Sequence, residues 1–240
     1  MRLFPALLPL VLMAALASPA FAAGTMQMTG HGEIQATPDT AYVTSGVTSQ
    51  GNTARDALDA NTKDMAALID VLKTAGIDEK DIQTSNFSVN PNYIYSDQRD
   101  QNGYQLPPKI AGYTVTNSVT VHVRDLAGLG AMLDKEVGVG ANTINGISFA
   151  VDDPSALYAE ARKSAFADAK GKADLYAQAA GVQLGAIQQI SENQGYSQPP
   201  QPMVYKATAS ADRSAPVPVE AGQLTFTIDV NVNWDLGAAK

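Results

Sequence analysis

Two stretches of the chain alternate apolar and polar residues with a period of two. From Tyr113 to Val123 every odd position except Asn117 is apolar, and from Leu224 to Trp234 every even position is. Successive side chains of a strand point to opposite faces, so each stretch predicts a strand with one buried and one wet face. Weaker strand patterns run over 26–36, 41–50, 82–95, 143–151 and 182–191.

Three segments switch to a helical period. The first, 53–75, aligns Leu58, Met65, Leu68, Ile69 and Leu72 on one face. The second follows Asp125, placed to cap its first turn, and ends near Val137. The third opens at Asp153-Pro154 and continues to Ala180, with Ala161, Ala165, Ala169, Ala173 and Ala177 as an inward stripe beside Leu157 and Tyr176. Side chains this small let a helix lie close to a sheet.

The first and third helices end alike. Ala75-Gly76-Ile77 leads to Ile82-Gln83, and Ala180-Gly181-Val182 leads to Ile187-Gln188, an offset of 105 residues in both pairs. A glycine just past a helix can take the left-handed turn that satisfies the last carbonyls. Each unit then crosses a polar loop with a Pro-Pro pair, Pro107-Pro108 or Pro199-Pro200, and enters one of the two alternating strands. Duplication and reuse of one junction chemistry both account for this echo. The loops, 96–108 and 193–216, are long enough to be functional or mobile.

These patterns predict an α+β fold in which antiparallel or mixed β-sheets pack with three helices. The expected organisation is one unit over 23–240 with two lobes, 23–109 and 110–200, and a C-terminal strand, 221–236, joining the sheet. A transmembrane β-barrel needs at least eight alternating strands, and only two segments alternate cleanly.

The amino terminus reads as an address. Arg2, an apolar stretch from Leu3 to Ala17 and the small residues Ala20 and Ala22 predict a secretory signal peptide over 1–22, cut between Ala22 and Ala23. An uncleaved anchor is the rival reading; the early prolines and the small-x-small ending favour cleavage. The mature chain is then expected to be exported to the periplasm, with no transmembrane segment. Charge sharpens the picture. The 240 residues hold 24 acids and 16 bases, a net charge of −8, and loss of Arg2 with the signal takes the remainder to −9. An acidic chain without a basic run repels phosphate backbones, so no nucleic-acid partner is expected. The absence of cysteine removes thiol catalysis, disulfides and cysteine-ligated zinc.

Little catalytic chemistry remains. His31 lies in Gly30-His31-Gly32-Glu33, and His122 falls on the polar face of its strand, where solvent exposure is expected. No Gly-x-Ser-x-Gly elbow occurs, and the glycines at 128, 130, 138 and 140 lack the spacing of a phosphate-binding loop. Asp152-Asp153 reads as helix capping and Asp39 as a turn residue; Arg162, Lys163, Lys170 and Lys172 beside Glu160, Asp168 and Asp174 read as a solvated helix face. No catalytic residue, cofactor or metal ligand is assigned, and the chain is expected not to be an enzyme. The alternative is a small-ligand-binding module or enzyme with its site under the polar loops, whose tyrosines, Tyr93, Tyr95, Tyr104, Tyr196 and Tyr205, suit recognition.

Several stretches together resemble one family. Gly30-His31-Gly32-Glu33 with Ala36-Thr37-Pro38-Asp39-Thr40-Ala41, and the run from Ile82 to Tyr93, are similar to the opening of the SIMPL-domain family. Gly112 to Asn117, Gly140 to Phe149, Ala167 to Ala173 and Ala180 to Gly185 resemble its second half. The order and spacing of these pieces cover nearly all of the chain after residue 22. The resemblance, to the periplasmic immunogenic, outer-membrane antigen and oxidative-stress defence type, implies an exported α+β protein linked to stress tolerance that forms homo-oligomers. It supplies no catalytic residues. A structural antigen associated peripherally with the outer membrane is the second alternative. The long alternating strands give self-assembly a physical basis, because an exposed strand edge pairs readily with another.

Overall fold

The computed structural model describes residues 24–197 and 217–237; the segment expected to be a signal peptide, with Ala22 and Ala23, and most of the second polar loop lie outside them. The fold is α+β, with three helices and two antiparallel sheets. In chain order the elements are β1 (Thr25–Ala36), β2 (Thr40–Gly51), α1 (Ala54–Thr74), a 3₁₀ turn (Glu79–Asp81), β3 (Ile82–Ile94), β4 (Lys109–Val123), α2 (Leu129–Gly138), β5 (Thr143–Ala150), α3 (Ser155–Ala180), β6 (Gln183–Ser197) and β7 (Leu224–Gly237).

The large sheet has the order β3-β4-β2-β5 and the small sheet β1-β7-β6. The large sheet takes in both strands that flank Pro107-Pro108. In each sheet the strand that follows a long helix lies at one edge, the long alternating strand lies next to it, and a strand from earlier in the chain pairs on the other side. The sequence echo at the ends of α1 and α3 is therefore an echo of topology. Gly76 and Gly181 both hold positive φ, 88° and 70°, as the helix-ending chemistry requires.

Alternation decides which face is buried. Leu224, Phe226, Ile228, Val230, Val232 and Trp234 of β7 are all buried, and Ile228, Val230, Val232 and Trp234 pack against the alanine stripe of α3. Val119, Val121 and Val123 of β4 meet Val43 of β2 and Met65, Leu68 and Leu72 of α1 in the large lobe, with Met132 and Leu133 of α2 closing the same core. Within α3 the stripe is as expected, but Tyr176 is exposed. Tyr158 takes the aromatic position, edge-on to Phe226 at 5.3 Å between ring centroids. Asp125 does not cap α2. It accepts the N–H of Gly128, and the helix opens one turn later at Leu129.

Two chain segments cross between the lobes. The link 37–39 joins β1 to β2 and 151–154 joins β5 to α3; they touch where the Asp39 N–H donates to the Ala150 carbonyl and the Asp152 N–H to the Asp39 carboxylate. The segment that enters β7, itself a strand of the small sheet, packs Val219 against the large core.

Candidate functional site

A sheet of this kind has free edges, and the four edges here are treated differently. β1 is an edge of the small sheet, and α3 covers it. The His31 N–H donates to Asp168 at 2.8 Å, and the Lys172 ammonium donates to the Thr29 carbonyl at 3.1 Å and to Asp168 at 2.7 Å. Two outward-facing backbone groups that another strand could use are thus already paired. The hydrogen bonds from Lys172 and from the His31 N–H hold the Asp168 carboxyl below the usual carboxylate range. This corrects the reading of Asp168 and Lys172 as part of a merely solvated face.

α3 reaches that edge because β1 is flat where the helix crosses it. A Cβ placed on Gly30 would stand 2.0 Å from the Ala165 carbonyl oxygen. The glycines on either side of His31 are docking positions, and they turn the His31 ring to the opposite face. There its Nδ1 lies 2.8 Å from Asp229, and that hydrogen bond raises the imidazole above its ordinary value.

β5 edges the large sheet and is short. Beyond its end the Asn142 side-chain amide takes over the ladder, accepting from the Thr48 N–H and donating to the Thr48 carbonyl, each at 2.8 Å. Nearby, Glu136 of α2 is buried and accepts the Ser45 hydroxyl at 2.5 Å. Burial pushes its carboxyl up, opposed by that hydrogen bond.

β3 and β6 remain. Among the described residues no backbone hydrogen bond from another element reaches their outer edges, although Arg162 of α3 holds the Glu192 side chain of β6, and each carries exposed apolar side chains: Phe87 (54% exposed) and Val89 on β3, Ile187 and Ile190 (54% exposed) on β6. Register shows which way these point. Val89 is opposite Val115, Ile187 opposite Trp234 and Ile190 opposite Val232, and all three partners are buried. Residues directly opposite one another share a face, so these apolar groups lie on the helix side of each sheet. They are left uncovered because α1 lies over β2 and β4, and α3 over β1 and β7.

The other candidate residues are dispersed. Tyr93, Tyr95 and Tyr104 stand exposed along and beyond β3; the Tyr196 side chain and Tyr205 are outside the described residues. His122 corrects expectation. Its side chain is only 12% exposed, stacked on Tyr42 at 4.5 Å and 8° between ring planes. Nδ1 lies 3.6 Å from Asp81 and Nε2 3.6 Å from Asp152, so Nε2 is buried without a hydrogen bond. Arg124 grips Asp81 through both guanidinium nitrogens and holds its carboxyl low. Asp153 behaves as expected, accepting the Ser155 N–H at the start of α3. Among the described residues no group of three or more histidines, aspartates and glutamates could hold a metal ion, and no helix is long and apolar enough to cross a membrane.

The SIMPL family model, described as a protein of unknown function (DUF541), matches residues 26–234. The chain belongs to the SIMPL family. Its relatives include the 26 kDa periplasmic immunogenic protein of Brucella melitensis biotype 1, 38% identical over 240 aligned residues that cover 95% of this chain and 94% of that protein. The protein of the same name from Brucella abortus is equally similar. YggE of Escherichia coli K12 is 28% identical over 208 residues, 86% of this chain and 81% of its own length. The matched span runs from the second residue of β1 to Trp234 in β7, so this SIMPL domain includes both sheets and all three helices.

Proposed function

We propose that this SIMPL protein is exported to the periplasm and acts without enzymatic chemistry, by assembling with further copies of itself along β3 and β6 as part of the cell's tolerance of oxidative and envelope stress. The observation that carries assembly is the contrast between edges. β1 is covered by α3 and β5 is short, whereas β3 and β6 are long, carry exposed apolar side chains and leave their outer backbone edges open. Edge strands that must stay single are usually shortened, charged or covered. A periplasmic location draws on the amino-terminal pattern and on the relatives named as periplasmic proteins; the link to stress draws on the family resemblance.

The test is the solution mass. Sedimentation of the mature protein across the micromolar range is expected to give an assembly, and Val89→Lys or Ile190→Lys, which place a charge on the uncovered face, are expected to shift it towards monomer. A strictly monomeric wild type would end this reading. A deletion strain that survives oxidants as well as its parent would remove the stress role.

A further inference from the structure

The surroundings of His122 form a junction between the lobes. His122 is on β4 of the large sheet, and Asp152 lies in the segment 151–154 that carries the chain to α3 of the small lobe. Asp152 is tied to a second crossing, because its N–H donates to Asp39 between β1 and β2. The groups facing the imidazole are few: Tyr42 from β2, Lys80 and Asp81 from the 3₁₀ turn, Arg124 just past the end of β4, and Asp152 from the crossing, with Gln83 and Thr120 as uncharged neighbours. Asp81 is 9% exposed and fixed by Arg124, whereas Asp152 is 55% exposed.

A neutral imidazole has one N–H and here meets neither carboxylate at hydrogen-bond distance. An imidazolium has two, and each ring nitrogen already stands 3.6 Å from a carboxylate oxygen. We propose that His122 is a proton-operated latch: its second proton draws Asp152 onto Nε2 while Asp81 receives Nδ1, pinning the crossing 151–154 to the large sheet and fixing the lobes relative to one another. The Tyr42 ring, stacked on the imidazole at 4.5 Å, limits how far it can turn. Asp152 moves because Asp81 is already held. Acid supplies that second proton, so the latch would close as the surroundings acidify.

The chain has no cysteine, which makes the test direct. Spin labels on Thr62→Cys in α1 and Ser164→Cys in α3, both exposed, report the distance between lobes in the otherwise unaltered mature protein, diluted with unlabelled protein. The distance distribution is expected to be narrower at about pH 5.5 than at about pH 7.5, and the narrowing is expected to be lost in both His122→Gln and Asp152→Asn. Asp152 is exposed, so its variant keeps the test independent of any folding defect at His122. Equal widths at the two pH values in the wild type, or narrowing that survives in either variant, would overturn the latch.

Discussion

Gly32 lies against Ala161 so closely that a Cβ on Gly32 would stand 2.0 Å from the Ala161 carbonyl oxygen. Backbone meets backbone there, and no side-chain rotation relieves the clash. Gly32→Ala is therefore expected to lift α3 from β1 and cost about 2–3 kcal/mol, the usual penalty for overfilling a packed core. Gly171 of the same helix faces open space, and Gly171→Ala is expected to stabilise by about 0.5–1 kcal/mol through helix propensity. Urea denaturation of the two variants should move the midpoint in opposite directions; a shift of the same sign would contradict the docking role of Gly32.

Glu136 makes a prediction about pH. Burial raises its carboxyl in the folded protein above the unfolded value of about 4.3. The folded state then keeps the proton longer than the unfolded one, so this group's contribution falls as pH rises from the unfolded value towards the folded one and stays low above it. Glu136→Gln is expected to match the wild type near about pH 4 and to lose less stability on the way to neutrality. Denaturation midpoints across that range would show parallel profiles if Glu136 were solvated. Ser45→Ala, which strips the carboxyl of its described side-chain donor, is expected to cost about 1–3 kcal/mol.

The covering of β1 can be removed without touching the core. Asp168→Ala combined with Lys172→Ala frees the His31 N–H and the Thr29 carbonyl. A third open edge should then produce larger and less uniform assemblies in light scattering. Unchanged scattering would mean that helix packing alone protects the edge.

His31 should titrate above the ordinary histidine value because Asp229 accepts from its ring. The stabilisation from this pair is full below about pH 6.5 and is lost as pH rises through the folded value. In Asp229→Asn the His31 ring resonances in an NMR titration should move back towards that ordinary value, and an unaltered midpoint would discount the contact.

Periodicity made most of the secondary structure readable in advance, because burial in β7 and α3 follows period two and period four without interruption. Pairing was harder. Nothing local says that β1 lies beside β7 at the far end of the chain, or that β5 joins β2 instead of remaining with α3. The open edges had a trace in Phe87 and Val89, apolar at alternate positions of β3, but whether a helix covers them depends on which strands the helix lies over. The enclosure of His122 escapes the sequence for a related reason. His122 does sit on the polar face of its strand, yet Tyr42 and two carboxylates from other segments enclose that end of the face.

The pairing of β1 with β7 also sets an order of folding. The large sheet uses only residues 40–150, whereas β1 has no strand neighbour until Leu224–Gly237 arrives. A chain delivered amino terminus first can close the large lobe before its tail arrives, but must hold β1 without a strand partner until β7 is delivered. Contacts this distant in sequence form slowly. The small lobe is thus the stage at which a passing chaperone, or a neighbouring copy, has longest to act.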